Sequence, residues 1–303
     1  MISNLRRLGA LAVFALCATV ALAQSSFTAP HLLETPDGAF LGIGWDLKGG
    51  QPAAQPSPRA NHSMAALRML VGFYGNSGMM QWLEKSVGGS VNADWITNTC
   101  AIRKSGVVTG VGYVGLNPLE VVFPGCDADS KDAAGIEVTC TARDRMKIPV
   151  PDEVKTRLAY NTAKKQKMWQ ASAFRLRIGD LPCTRVNKIE ALAIKQSIAD
   201  LDGDGAPDTF YLPEELSFTV PMADATPFQA AYQATYNDKP IEYPVTLDYL
   251  DEDGNVLASL SWSIFICSAA PEDPYGNPAD PSAMCRIRSD RQHHFINLKA
   301  PGG

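Results

Sequence analysis

The alternation of apolar and polar positions predicts a β-rich chain with two short helices. Met79, Trp82 and Leu83 stand at i, i+3 and i+4, the spacing of one helix face. Ser77 is placed to cap that helix and Gly88 to stop it. Phe228, Ala231 and Tyr232 repeat the spacing, displaced by 149 residues. There Thr226 reads as the cap, with Pro227 in the first turn. A lone short helix must bury one face, so Trp82 and Tyr232 read as core; a partner-facing stripe is the other reading.

Short apolar runs bounded by Gly, Pro or Asp read as strands. In the first half these are Phe40 to Trp45, Trp95 to Arg103, Val107 to Val114, Leu119 to Phe123 and Gly135 to Arg143. In the second they are Phe174 to Ile178, Val186 to Ser197, Leu216 to Val220, Val245 to Leu250, Val256 to Cys267 and Met284 to Arg288. Asp251-Glu252-Asp253-Gly254-Asn255 reads as a hairpin turn. The stretch before Ala60 is loop-rich, broken by Gly49, Gly50, Pro52, Pro56 and Pro58. The second half thus repeats the order of the first.

The N-terminus reads as a cleavable secretory signal over residues 1–23. Arg6 and Arg7 give a positive start, Leu8 to Leu22 an uncharged apolar run, and Ala21-Leu22-Ala23 a cleavage site before Gln24. The run is shorter than the roughly 20 residues that span a bilayer. The expected product is exported, periplasmic or extracellular, with no membrane span after cleavage. The formal charge is −5, and loss of Arg6 and Arg7 takes it to −7. There is no basic block, which argues against nucleic acid as a partner.

Export places the cysteines in an oxidising compartment. Cys17 leaves with the signal, and Cys100, Cys126, Cys140, Cys183, Cys267 and Cys285 remain. No C-x-x-C pair exists to hold zinc. An even count fits three disulfides, with fifteen pairings open. Cys126 and Cys140 flank one loop, and Cys267 and Cys285 the matching loop in the second half. This suggests those two pairs, with Cys100–Cys183 joining the repeats. Closing either of the two short loops would stabilise by about 3 kcal/mol in the chain-entropy model. Six buried free thiols are the alternative.

The order strand, amphipathic helix, strand, Asp-Gly turn, strand, loop, strand resembles the tube proteins of contractile phage tails and of related injection systems. Phe174 to Cys183, Arg185 to Glu190, Ile194-Lys195-Gln196 and Leu247 to Ala258 carry the likeness in the second half. Met80 to Leu83 and Phe123 to Lys131 carry it in the first. The resemblance implies a mainly β, β-rich α+β chain. It would form two tandem tube-like β-barrel or sandwich domains, each with one short helix. The expected limits are 24–148 and 169–292, with a linker at 149–168 and a tail at 293–303. It also implies a non-enzymatic structural protein that self-assembles into a ring, tube or hub. The signal and the cysteines depart from that family, and suit a tube-derived fold reused outside the cytoplasm. The alternative is an extracytoplasmic ligand-binding or adhesion module on the same scaffold. A homo-oligomer and an envelope or extracellular protein are the expected partners.

The strongest chemical motif is Asp200-Leu201-Asp202-Gly203-Asp204-Gly205-Ala206-Pro207-Asp208. Alternating Asp with Gly between lets one tight loop aim several hard oxygens at a cation, as calcium requires. Asp200, Asp202, Asp204 and Asp208 are the expected ligands of a structural calcium. Tyr211 stands where an EF-hand places Glu. A plain acidic turn between strands is the other reading. Gly110 to Gly115 matches G-x-G-x-x-G, but Pro118 and a β-rich run follow where a dinucleotide site needs a helix. His31, His62, His293 and His294 are not at metal spacing, and no residue set nominates a catalytic centre.

Overall fold

The computed structural model describes residues 27–35, 38–45, 67–73, 77–88, 96–102, 108–114, 117–141, 144–148, 169–201, 208–237, 239–277, 280, 282–290 and 296–299. The expected signal peptide, the linker and the loop around Pro52 to Pro58 lie outside them. In chain order come β1 (Phe27–Thr35), β2 (Gly38–Trp45), β3 (Leu67–Val71) and helix α1 (Ser77–Val87). Next are β4 (Ile96–Ile102), β5 (Val108–Val114), β6 (Asn117–Phe123), β7 (Cys126–Asp127), β8 (Ala133–Ala134), β9 (Ile136–Thr141) and β10 (Asp144–Ile148). The second half begins with β11 (Trp169–Gln170), β12 (Phe174–Ile178), β13 (Lys188–Ile189), β14 (Leu192–Ala199), β15 (Asp208–Pro213) and β16 (Ser217–Pro221). Helix α2 (Thr226–Tyr236) follows, then β17 (Tyr243–Leu250), β18 (Val256–Ile264), β19 (Ile266–Pro271), β20 (Met284–Ser289) and β21 (Asn297–Lys299).

The chain is mainly β, and every strand pairing is antiparallel. Two compact units interleave along the sequence. One gathers Met1–Met79, Val91–Leu119 and Gly135–Met168; the other gathers Met80–Ser90, Glu120–Ala134 and Trp169–Gly303. The expected first domain, 24–148, therefore contributes to both.

In the first unit seven strands lie side by side in the order β10-β5-β4-β2-β1-β3-β9. In the second, β12-β17-β18-β21 form one sheet and β19-β20-β16-β13-β7 another. Beside these, β6, β14 and β15 run together, and β11 pairs with β8. No barrel closes among the described residues, which corrects the barrel expectation. The rows end instead in edge strands such as β12, β19 and β21.

Strand β18 shows why this sequence folds as sheet. Ala258, Leu260, Trp262 and Ile264 are buried, while Ser259, Ser261 and Ser263 between them are half-exposed. That period of two sends one set inward and the other outward. Val245, Leu247 and Tyr249 of β17, with Phe218, Val220 and Ile287 of β16 and β20, add to the core of this unit. Helix α2 packs on β19, and its Phe228 meets Phe218 edge to face at 5.6 Å. Burying a side chain of this size stabilises by about 1.5–3 kcal/mol.

Both helices have 11 residues, and their bounds differ by 149 positions. The same displacement carries the pairing Met69↔Val138 of β3 and β9 onto Phe218↔Ile287 of β16 and β20. The β4–β5 pairing corresponds to β17–β18, and β5–β10 to β18–β21, within two residues of that displacement. The correspondence breaks at the first strands, since β2 pairs with β4 but β12, the earlier strand of its half, pairs with β17.

Three local expectations change. The run Val186 to Ser197 is two strands, β13 and β14, in different rows. The run Val256 to Cys267 breaks at Phe265, where β18 gives way to β19. There the Phe265 N–H donates to Asp290 Oδ1 at 2.9 Å, and the Asp290 N–H donates to the Phe265 carbonyl at 3.0 Å. The chain is clasped at this corner as it leaves one sheet for the other. Finally, Ala225 rather than Thr226 is the N-cap of α2, with no side-chain cap bond and Pro in the first turn.

Candidate functional site

The expected calcium loop connects β14 to β15. Ala199 pairs with Asp208, so the two ends of the loop meet at the mouth of one hairpin. Asp200 is exposed there. Asp202 and Asp204 lie outside the described residues, and of Asp208 only the backbone is described. Among the described residues no three His, Cys, Asp or Glu side chains cluster as a metal site. The turn Asp251 to Asn255 is a hairpin turn. Asp251 Oδ1 accepts the N–H groups of Asp253 and Asn255, and Gly254 takes the left-handed conformation at φ +81°.

The described cysteine side chains, Cys126, Cys140, Cys183, Cys267 and Cys285, are free thiols. The expected Cys267–Cys285 bridge is not formed, and strand register explains why. Cys285 stands opposite Pro271, four residues beyond Cys267, which occupies an irregularity between Ile266 and Ser268. Four residues of strand span about 13 Å. A disulfide needs Cα atoms within about 7 Å. Cys285 is buried and Cys267 exposed. The other expected pairs, Cys126–Cys140 and Cys100–Cys183, each take one cysteine from either unit. Of Cys100 only its place in β4 is described.

Burial pushes the Cys140 thiol up to about 12 and that of Cys183 up to about 11. Cys126 is raised further by burial, against the opposing effect of a hydrogen bond with Tyr249. The Tyr249 hydroxyl donates to the Pro124 carbonyl at 3.1 Å. Trp169 packs edge-on to its ring at 5.2 Å, and Phe123 lies at 5.5 Å. This buried knot suits packing: a thiol raised this far stays protonated and is a poor nucleophile at neutral pH.

The most organised polar group centres on Asp248 of β17, 2 % exposed. Its Oδ2 accepts from Arg175 Nε at 3.0 Å, an Arg175 terminal nitrogen at 2.7 Å and Arg177 at 3.1 Å. Its Oδ1 accepts the Ser259 hydroxyl at 2.7 Å. Register makes this arrangement, since Arg175, Asp248 and Ser259 stand side by side on β12, β17 and β18. Sequence reasoning gave these residues no role. The signal was present in two arginines at period two on one strand and one acid inside the apolar run Val245 to Leu250.

The G-x-G-x-x-G match runs along β5, extended and paired with β4 and β10 over Gly110 to Val114, so no helix starts there to meet a phosphate. Of the histidines, His31 falls in β1, and His62, His293 and His294 lie outside the described residues. Trp82 is buried, 5 % exposed, as its core reading requires. Tyr232 is half-buried and its ring lies 6.2 Å from that of Tyr236, tilted by 52°. No protein-family model matches the chain, and no curated protein is similar to it.

Proposed function

We propose that this chain is an exported, non-enzymatic structural protein that assembles with copies of itself through two tube-like β modules. The observation that carries this reading is the repeated plan: two 11-residue helices 149 residues apart, and the same displacement between the β3–β9 and β16–β20 pairings. A repeat in which one chain supplies two equivalent modules fits ring or tube building, where each module contacts its neighbour in the same way. The end strands of the rows support it further, since among the described residues each pairs on one side, and such an edge is one that another chain can meet. On this reading the loop Asp200 to Asp208 holds a structural calcium, for which hairpin closure brings its two ends together.

Light scattering with negative-stain imaging tests the assembly. Trimers, hexamers, rings or filaments are the expected result. A strict monomer with and without calcium would remove assembly and leave a binding module as the reading.

A further inference from the structure

We propose that the outward face of the β12-β17-β18-β21 sheet binds a carboxylated polysaccharide. The proposal does not depend on self-assembly.

Strand register lays this face out in rows. The first row runs Arg175, Asp248, Ser259, Lys299. The second runs Arg177, Thr246, Ser261, Asn297, and Ser263 stands opposite Pro244 beyond it. The alternate residues Leu176, Ile178, Val245, Leu247, Leu260 and Leu298 are buried, so these rows point away from the core. Arg175 and Arg177 are 46 % and 58 % exposed, and Lys299 is exposed.

Charge is the first argument. These rows carry Arg175, Arg177 and Lys299 against Asp248 alone, in a chain whose formal charge is −5. The five-stranded sheet of the same unit differs. There Arg286 is answered by Glu190 and Glu272, Arg288 by Glu215, and Lys188 stands beside Asp127. One sheet neutralises its own cations and the other keeps a surplus.

Preorganisation is the second. Asp248 pins both guanidiniums through three N–H bonds, and each half-exposed guanidinium retains further N–H donors. A guanidinium fork held in place matches a carboxylate and loses little freedom on binding it. Beside the cations stand Thr246, Ser261 and Asn297, with Ser263 beyond them, and their side chains make no hydrogen bond among the described residues. Strand spacing puts Arg175 about 14 Å from Lys299, and Arg175 about 7 Å from Arg177.

The composition selects the ligand. A protein partner needs apolar or aromatic anchors at the centre of its interface, and neither four-residue row holds one. Single-stranded nucleic acid needs aromatic rings to stack on, and these rows have none. A set of hydroxyls, one amide, two held guanidiniums and one lysine complements a chain that bears hydroxyls and carboxylates.

Affinity electrophoresis of the purified protein in gels containing polyuronate, neutral dextran or polyglutamate tests this. Retardation by polyuronate alone is expected, and it should weaken as salt rises from about 0.05 to 0.3 M. Arg175→Gln with Arg177→Gln should weaken binding by about tenfold or more, the loss expected from one charge-assisted bond upward. Ser261→Glu leaves the Asp248 network intact and should weaken binding at least as much, with an unchanged unfolding curve. Lys299→Gln should weaken it about threefold. Absence of retardation, or wild-type binding by Ser261→Glu, would overturn the proposal. Equal retardation by polyglutamate would overturn the sugar assignment in favour of an acidic protein.

Discussion

Removing both arginines from Asp248 should cost more stability than removing Asp248 itself. The two ends of this ion pair differ in their access to water. The carboxylate side chain is 3 % exposed, whereas the arginine side chains are 46 % and 58 % exposed. Arg175→Gln with Arg177→Gln leaves Asp248 buried with Ser259 as its remaining hydrogen-bond donor. An uncompensated buried charge costs about 3–5 kcal/mol, and water entering where the guanidiniums lay brings this to about 3 kcal/mol. Asp248→Asn keeps the shape and lets both guanidiniums turn to water. It should cost about 1–2 kcal/mol, because half-exposed pairs contribute little once screened. The triple variant should then be more stable than the double, with a coupling of about 2 kcal/mol. Urea unfolding in reducing buffer, compared at constant slope, measures all three. A double variant no worse than Asp248→Asn, or additive changes, would refute the view that burial of the carboxylate sets the energetics here.

Gly125→Ala should destabilise by about 1–3 kcal/mol, since its Cβ would sit 2.9 Å from the Ile189 carbonyl oxygen and 3.2 Å from the Ala191 nitrogen, both backbone atoms; an unchanged thermal midpoint would contradict that packing. The Cys140 thiol is raised to about 12 in the folded chain, above the roughly 8.5 of a free thiol, so its contribution is complete below about pH 8.5 and declines as pH rises towards 12. Cys140→Ala should therefore flatten the fall in stability between about pH 9 and 11 by one proton, and an identical slope would deny the shift. Under native reducing conditions iodoacetamide should label exposed Cys267 first and reach buried Cys126, Cys140 and Cys285 only on unfolding, which mass mapping of the alkylated peptides checks. Calcium at about 100 times its dissociation constant should stabilise the protein by about 2.7 kcal/mol, and Asp202→Asn with Asp204→Asn should abolish the effect; calcium stabilisation that survives that substitution would place the ion elsewhere.

The features legible in sequence were those fixed locally. Both helices follow from three apolar residues at helical spacing, and both lie where that spacing placed them. Strands β12 and β17, the hairpin turn at Asp251 and the alternation of β18 were equally visible. Strands β1 and β10 were missed because polar or charged residues interrupt their apolar pattern, and β15 because its first residue, Asp208, read as the end of the acidic loop; their pairing partners define all three. The Asp248 cluster was missed for a related reason. Its members are 73 and 11 residues apart in sequence, and register alone brings them together.

The two places where a single predicted strand became two reveal what periodicity omits. Ile189 and Leu192 are both buried but three residues apart, so the alternation slips at Glu190 and Ala191. The Glu190 N–H turns to the Ser217 carbonyl, and the next residues pair with β6 and β15 instead. At Phe265 the alternation does not slip, since Ile264 and Ile266 are both buried, yet the chain changes sheets. There the mark is Asp290, 25 residues away, which accepts the Phe265 N–H. A pattern of apolar residues thus records which side of a strand meets the core. It does not record which strand lies beside it, and the polar clusters of this protein are made by that second choice.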